Sequence, residues 1–90
     1  MPLYLVQRTF PGGLALAANS AGAEVLTVVV TRNAELGVTW LHSYVSEDRE
    51  SMVCVYDAPA AENVRTASEA SGLPVDSITG VSVLDPHFYR

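Results

Sequence analysis

Four stretches of the chain alternate their side chains, or concentrate β-branched and aromatic residues, in the way strands do. Residues 3–10 set Tyr4, Val6, Arg8 and Phe10 against Leu3, Leu5, Gln7 and Thr9, and Pro11-Gly12-Gly13 ends the run. Residues 38–46 (VTWLHSYVS) and 51–57 (SMVCVYD) flank a short polar gap, which is a hairpin signal. The gap, Glu47-Asp48-Arg49-Glu50, lacks Asn-Gly, so a solvated loop of roughly three to five residues is expected rather than a two-residue turn. Residues 78–84 (ITGVSVL) form the fourth predicted strand, stopped by Asp85-Pro86.

Two helices are expected between these strands. Pro59 stands at the start of the second, Glu62 suits its first turn, Arg65 and Glu69 are spaced for pairing, and Gly72 closes it before Pro74. The first competes with a strand, because residues 25–30 (VLTVVV) are β-branched. A helix from Asn19-Ser20 to Leu36 is favoured by the N-cap those two residues offer, by Glu24 in the first turn and by Gly37 at the C-cap. Leu26, Val29, Val30, Asn33 and Leu36 then share one face.

The resulting order is β-α-β-β-α-β, which predicts an α+β ferredoxin-like fold with two helices on one face of a four-stranded antiparallel sheet. The two-residue period offers Val6, Val45, Val53, Val55, Val81 and Val83 as the set facing the helices. Opposite them it places Leu5, Gln7, Trp40, His42, Tyr44, Cys54, Tyr56 and Ser82. That mixture is too apolar to leave in water as a broad patch and too polar for an ordinary core. The open face is therefore expected to meet the same face of a second subunit, as a homodimer.

Composition adds a reason for a partner. Ninety residues leave room for one domain, 1–90, which buries too little surface to be secure alone. Cys54 is the only cysteine, so an internal disulfide is excluded. Ten Asp and Glu against five Arg, with no Lys, give a net charge of −5. The arginines are scattered, so neither nucleic acid nor an anionic membrane surface is an expected partner. No basic leader or long apolar run appears, and with the unpaired cysteine this points to a cytoplasmic protein.

His42 and Cys54 are the sharpest candidates for chemistry. With a three-residue loop at 47–49 they lie opposite each other, and with a loop at 48–50 they are diagonal neighbours; either way they share a face. Imidazole and thiolate suit Ni, Cu or Zn, and His87, a carboxylate or a second chain would complete the site. The competing reading is a hydrogen-bonded histidine and a small buried cysteine, both common in cores. Gln7, Trp40, Tyr44 and Tyr56 would line the pocket or interface around them, and the aromatic C-terminus, Asp85 to Arg90, is expected to dock. Among catalytic signatures, Gly-x-Ser-x-Gly, a phosphate-binding Gly-rich loop with Lys, Cys-x-x-Cys and His-Glu-x-x-His are all missing.

Five segments together resemble a known family. They are Tyr4 to Pro11, Asn33 to Val45 with its Gly-Val-x-Trp-Leu-His-Ser-Tyr-Val block, Cys54 to Pro59, Gly72 to Asp76 and Leu84 to Pro86. The family is domain of unknown function 4242, small bacterial proteins common in actinobacteria, one of which binds nickel. The resemblance implies a ferredoxin-like fold, a homodimer and nickel, and it implies no enzyme activity. His42, Cys54 and Tyr56 fall in the matching blocks. Two other functions stay open: a small monooxygenase- or isomerase-like enzyme with a pocket between paired sheets, and a plain interaction module.

Overall fold

The computed structural model describes residues 2–14, 29–31 and 33–87. Its strands are β1 (Leu3–Thr9), β2 (Thr39–Val45), β3 (Ser51–Asp57) and β4 (Ser77–Val81). The helices are α1, helical at residues 29–31 and 33–35, and α2 (Ala61–Ala70). The four strands form one sheet in the order β2-β3-β1-β4, and each neighbouring pair is antiparallel. This is the expected α+β architecture, a four-stranded antiparallel sheet with two helices. The expected start of α1 lies outside the described residues. β4 ends at Val81, so Ser82, Val83 and Leu84 leave the sheet, with Val83 and Leu84 exposed.

Both helices stop the same way. Gly37 has φ +73°, its N–H bonds Ala34 O at 3.1 Å and the next N–H, from Val38, bonds Asn33 O at 2.8 Å. Gly72, φ +69°, repeats this with Glu69 O at 3.1 Å, followed by Leu73 N–H on Ser68 O at 3.0 Å. Orphan carbonyls are thereby satisfied by a left-handed residue, a conformation that glycine takes without a Cβ penalty.

Val64, Ala67 and Ser68 form the buried stripe of α2, at spacings of three and four residues. Val64 and Ala67 pack with Val6, Cys54 and Tyr56 of the sheet, and Val38 and Ala58 complete the core. Full burial of a residue such as Val64 is worth about 1.5–3 kcal/mol.

The ladder registers settle which face each residue takes. Val6 stands opposite Cys54 and Tyr4 opposite Tyr56, whereas Leu5 faces Val55 and Gln7 faces Val53. Opposed residues share a face, so Cys54 and Tyr56 belong to the helix side and Val53 and Val55 to the other. Val81, opposite Leu3, also lies on that other side, which no described helix covers. The valine-based assignment of β3 and of Val81 is therefore reversed. Its error is physical: Met52, Cys54 and Tyr56 are as apolar as Val53 and Val55, so alternation within β3 distinguishes no face.

Candidate functional site

The β2–β3 hairpin decides which candidates can meet. Ser46 N–H bonds Ser51 O at 2.9 Å and Arg49 N–H bonds Ser46 O at 2.9 Å, leaving Glu47, Asp48, Arg49 and Glu50 as the loop. Arg49 takes φ +63° to close it, and Ser46 Oγ donates to Asp48 Oδ1 at 2.6 Å. That hydroxyl, with the Glu50 amide behind it, holds the exposed Asp48 carboxyl below its ordinary value. Four loop residues rather than three shift the pairing by one position, and a one-residue shift exchanges faces. Ser43 thus stands opposite Cys54, and His42 stands opposite Val55.

A bulge between Trp40 and His42 then displaces the start of β2, so that Trp40 pairs with Tyr56. Trp40 packs against the core and its indole N–H donates to Ser43 Oγ at 2.8 Å, both side chains lying on the helix face. Leu41 is the extra residue, and it is exposed.

The predicted site residues therefore separate into two groups. His42, Tyr44 and Gln7 are exposed on the uncovered face, as expected. The His42 and Tyr44 rings meet edge to face with 5.2 Å between centroids, and Tyr44 is 67% exposed. Cys54, Tyr56 and Trp40 lie on the other face, and Cys54 is only 2% exposed. This corrects the expected pairing: with the sheet between them, His42 and Cys54 are not brought together to hold one ion within a chain. His87 is exposed in a turn where its backbone N–H bonds Asp85 Oδ1 at 2.8 Å, and residues 88–90 lie outside the described set. Among the described residues no group of three or more His, Cys, Asp or Glu side chains is placed to hold a metal.

Arg8 is the residue that sequence reasoning missed. It is 1% exposed, and its guanidinium donates to Pro74 O at 2.8 Å, Tyr56 Oη at 2.9 Å and Ser68 Oγ at 3.0 Å. Its Cζ lies 5.9 Å from the Tyr56 ring centroid. Among the described residues no carboxylate is bonded to it, and Nε has no partner. The signal was its place in the alternation of β1, in file with Tyr4 and Val6. Burial pushes the Tyr56 phenol above its ordinary value, the Arg8 charge draws it partly back, and Cys54 adds to the rise.

A family model described as nickel responsive protein SCO4226-like matches residues 4–81. The chain belongs to that family. The match spans both strands of the hairpin, hence His42, Cys54 and Asp57, and also Arg8 and α2. The crystal structure of SCO4226 from Streptomyces coelicolor A3(2) is similar, with a TM-score of 0.71 and 14% identity over 92% of this chain and 99% of that one. At that identity the likeness is one of fold. No curated protein matches the chain. Among the described residues no helix is long and apolar enough to cross a membrane.

Proposed function

We propose that this protein is a small cytoplasmic homodimer that binds nickel or a similar divalent transition metal, as a buffer, sensor or carrier. The observation that carries the reading is the family match over residues 4–81, to proteins described as nickel responsive. The chain's chemistry is compatible with it. His42 offers an exposed imidazole, a donor that Ni, Cu and Zn all accept, on a face that no described helix covers. Cys54, facing the core, contributes packing in this reading. A free cysteine suits a reducing compartment, and a net charge of −5 favours cations over nucleic acid or anionic lipid.

The second copy is drawn to the same face. Leu3, Leu5, Val53, Val55 and Val81 line it between the polar rims supplied by β2 and β4. Apolar centres with polar rims are how protein interfaces are built. Calorimetric titration of the purified chain with Ni²⁺, Cu²⁺ and Zn²⁺, alongside its mass by light scattering, tests both parts. Saturable heat and a dimer mass are expected; no heat with any of the three ions would sink the metal reading.

A further inference from the structure

The buried cluster around Arg8 holds donors that its acceptors do not match. The two Nη groups give their three bonds to neutral oxygens, the Pro74 carbonyl and the hydroxyls of Tyr56 and Ser68. The Nε–H is shut off from solvent and, among the described residues, meets no acceptor. A second closed hydroxyl lies in the same place. Ser71 follows Ser68 by three residues at the end of α2, with φ −90° and ψ −2°, a spacing that sets the two on one helix face with about 5–6 Å between Cβ atoms. Arg8 bonds on either side of it in sequence, to Ser68 Oγ and to Pro74 O, so Ser71 sits inside the span that the guanidinium bridges. Its Oγ is also closed to solvent with no hydrogen-bond partner among the described residues. Buried polar groups are nearly always satisfied in folded proteins, so two bare ones in one cluster point to a missing acceptor.

Charge says what kind of acceptor is missing. Among the described residues no carboxylate is bonded to Arg8, and Tyr56 does not supply the charge, because burial pushes its phenol above the ordinary value and it stays neutral at physiological pH. A water molecule would satisfy the two donors and leave the buried cation unanswered, whereas an anion answers both through charge-assisted bonds. We propose that Arg8 Nε and Ser71 Oγ form the seat of a small carboxylate ligand, of the size of formate or acetate, between β1 and the end of α2. The two donors match the two oxygens of a carboxylate. The seat is on the helix side of the sheet and does not depend on the metal reading, which concerns the other side. Because it is closed, the ligand enters when the end of α2 opens locally, and its binding registers as stability.

Urea unfolding of the full chain, titrated with sodium formate at an ionic strength held constant with sodium HEPES, tests the seat. A ligand that binds only the folded chain raises the midpoint as its concentration passes the dissociation constant. The parent's midpoint should rise with formate in the millimolar range. Arg65→Gln, which removes an exposed arginine of α2, should respond as the parent does. Arg8→Met should lose the response. Ser71→Ala should need at least about tenfold more formate for the same rise, the loss expected of one hydrogen bond to a charged group. Ser71→Asp keeps the test open where Arg8→Met does not fold: its own carboxylate takes the ligand's place, so its midpoint without formate should exceed the parent's, and formate should add nothing. A parent midpoint indifferent to formate overturns the proposal and leaves water at the two donors. A parent-like response in Ser71→Asp, or a response abolished in Arg65→Gln, also overturns it and puts the anion at the surface.

Discussion

Arg8 Nη2 donates to the phenol oxygen of Tyr56 at 2.9 Å inside the core, and no described carboxylate shares the bond. The same guanidinium reaches Ser68 on α2 and the carbonyl of Pro74 beyond it, so one side chain joins β1, β3, α2 and the α2–β4 connection. A fully buried cation answered, among the described residues, by three neutral oxygens is held by the geometry of all three acceptors at once.

Removing either partner of that bond is therefore expected to cost more than an ordinary surface change. Tyr56→Phe leaves a charged donor with one acceptor fewer, worth about 1.5–3 kcal/mol. Arg8→Ala leaves a cavity and three acceptors bare, a loss on the order of 3–5 kcal/mol. Urea unfolding with an unchanged m-value measures both. An Arg8→Ala midpoint close to that of the parent would show that the cluster contributes nothing net.

The raised Tyr56 phenol also makes stability depend on pH in the alkaline range. Its folded pKa lies above its unfolded value, so the folded state keeps the proton that the unfolded state releases. The stabilisation is complete below the unfolded value, near pH ~10, and is lost as pH rises through the folded one. Absorbance at 295 nm should show a late-ionising fraction that Tyr56→Phe removes. The same substitution should flatten the alkaline fall in urea midpoint.

Gly37 gives a cleaner test of backbone energetics. Among the described residues, a Cβ added there would meet the Pro59 ring, at 3.8 and 3.9 Å, which is ordinary contact. What Gly37→Ala adds is the strain of an L-residue at φ +73°, about 1–2 kcal/mol. A thermal scan should show a loss of that size. A much larger loss would mean that the end of α1 had shifted, a change visible in the protection of the Val38 amide that bonds Asn33 O.

The element order was legible in the chain because the signals were local: alternation in β1, the polar gap of the hairpin, and Gly37 and Gly72 at the helix ends. What was not legible was anything that depended on counting across a loop. Loops of three and of four residues fit the Glu47 to Glu50 gap equally well by composition, yet only the four-residue loop separates His42 from Cys54. The bulge at Leu41 is likewise unannounced by residue type, and without it Trp40 would share His42's face. Arg8 was passed over because charge was weighed above parity.

The face assignment itself can be tested with adjacent residues of one strand. Cys54 and Val55 are neighbours in β3, similar in size, and point to opposite sides of the sheet. Cys54→Asp puts an unpaired carboxylate among Val6, Val64 and Ala67, and several kcal/mol of desolvation in so small a domain should abolish folding. Val55→Asp puts the same charge on the uncovered face, where water can reach it in a monomer, so the chain should fold with native circular dichroism. If two copies meet through that face, Val55→Asp also buries two like charges in the interface, and light scattering should report half the parent's mass. The opposite outcome, a folded Cys54→Asp and an unfolded Val55→Asp, would restore the valine-inward sheet that alternation alone suggests.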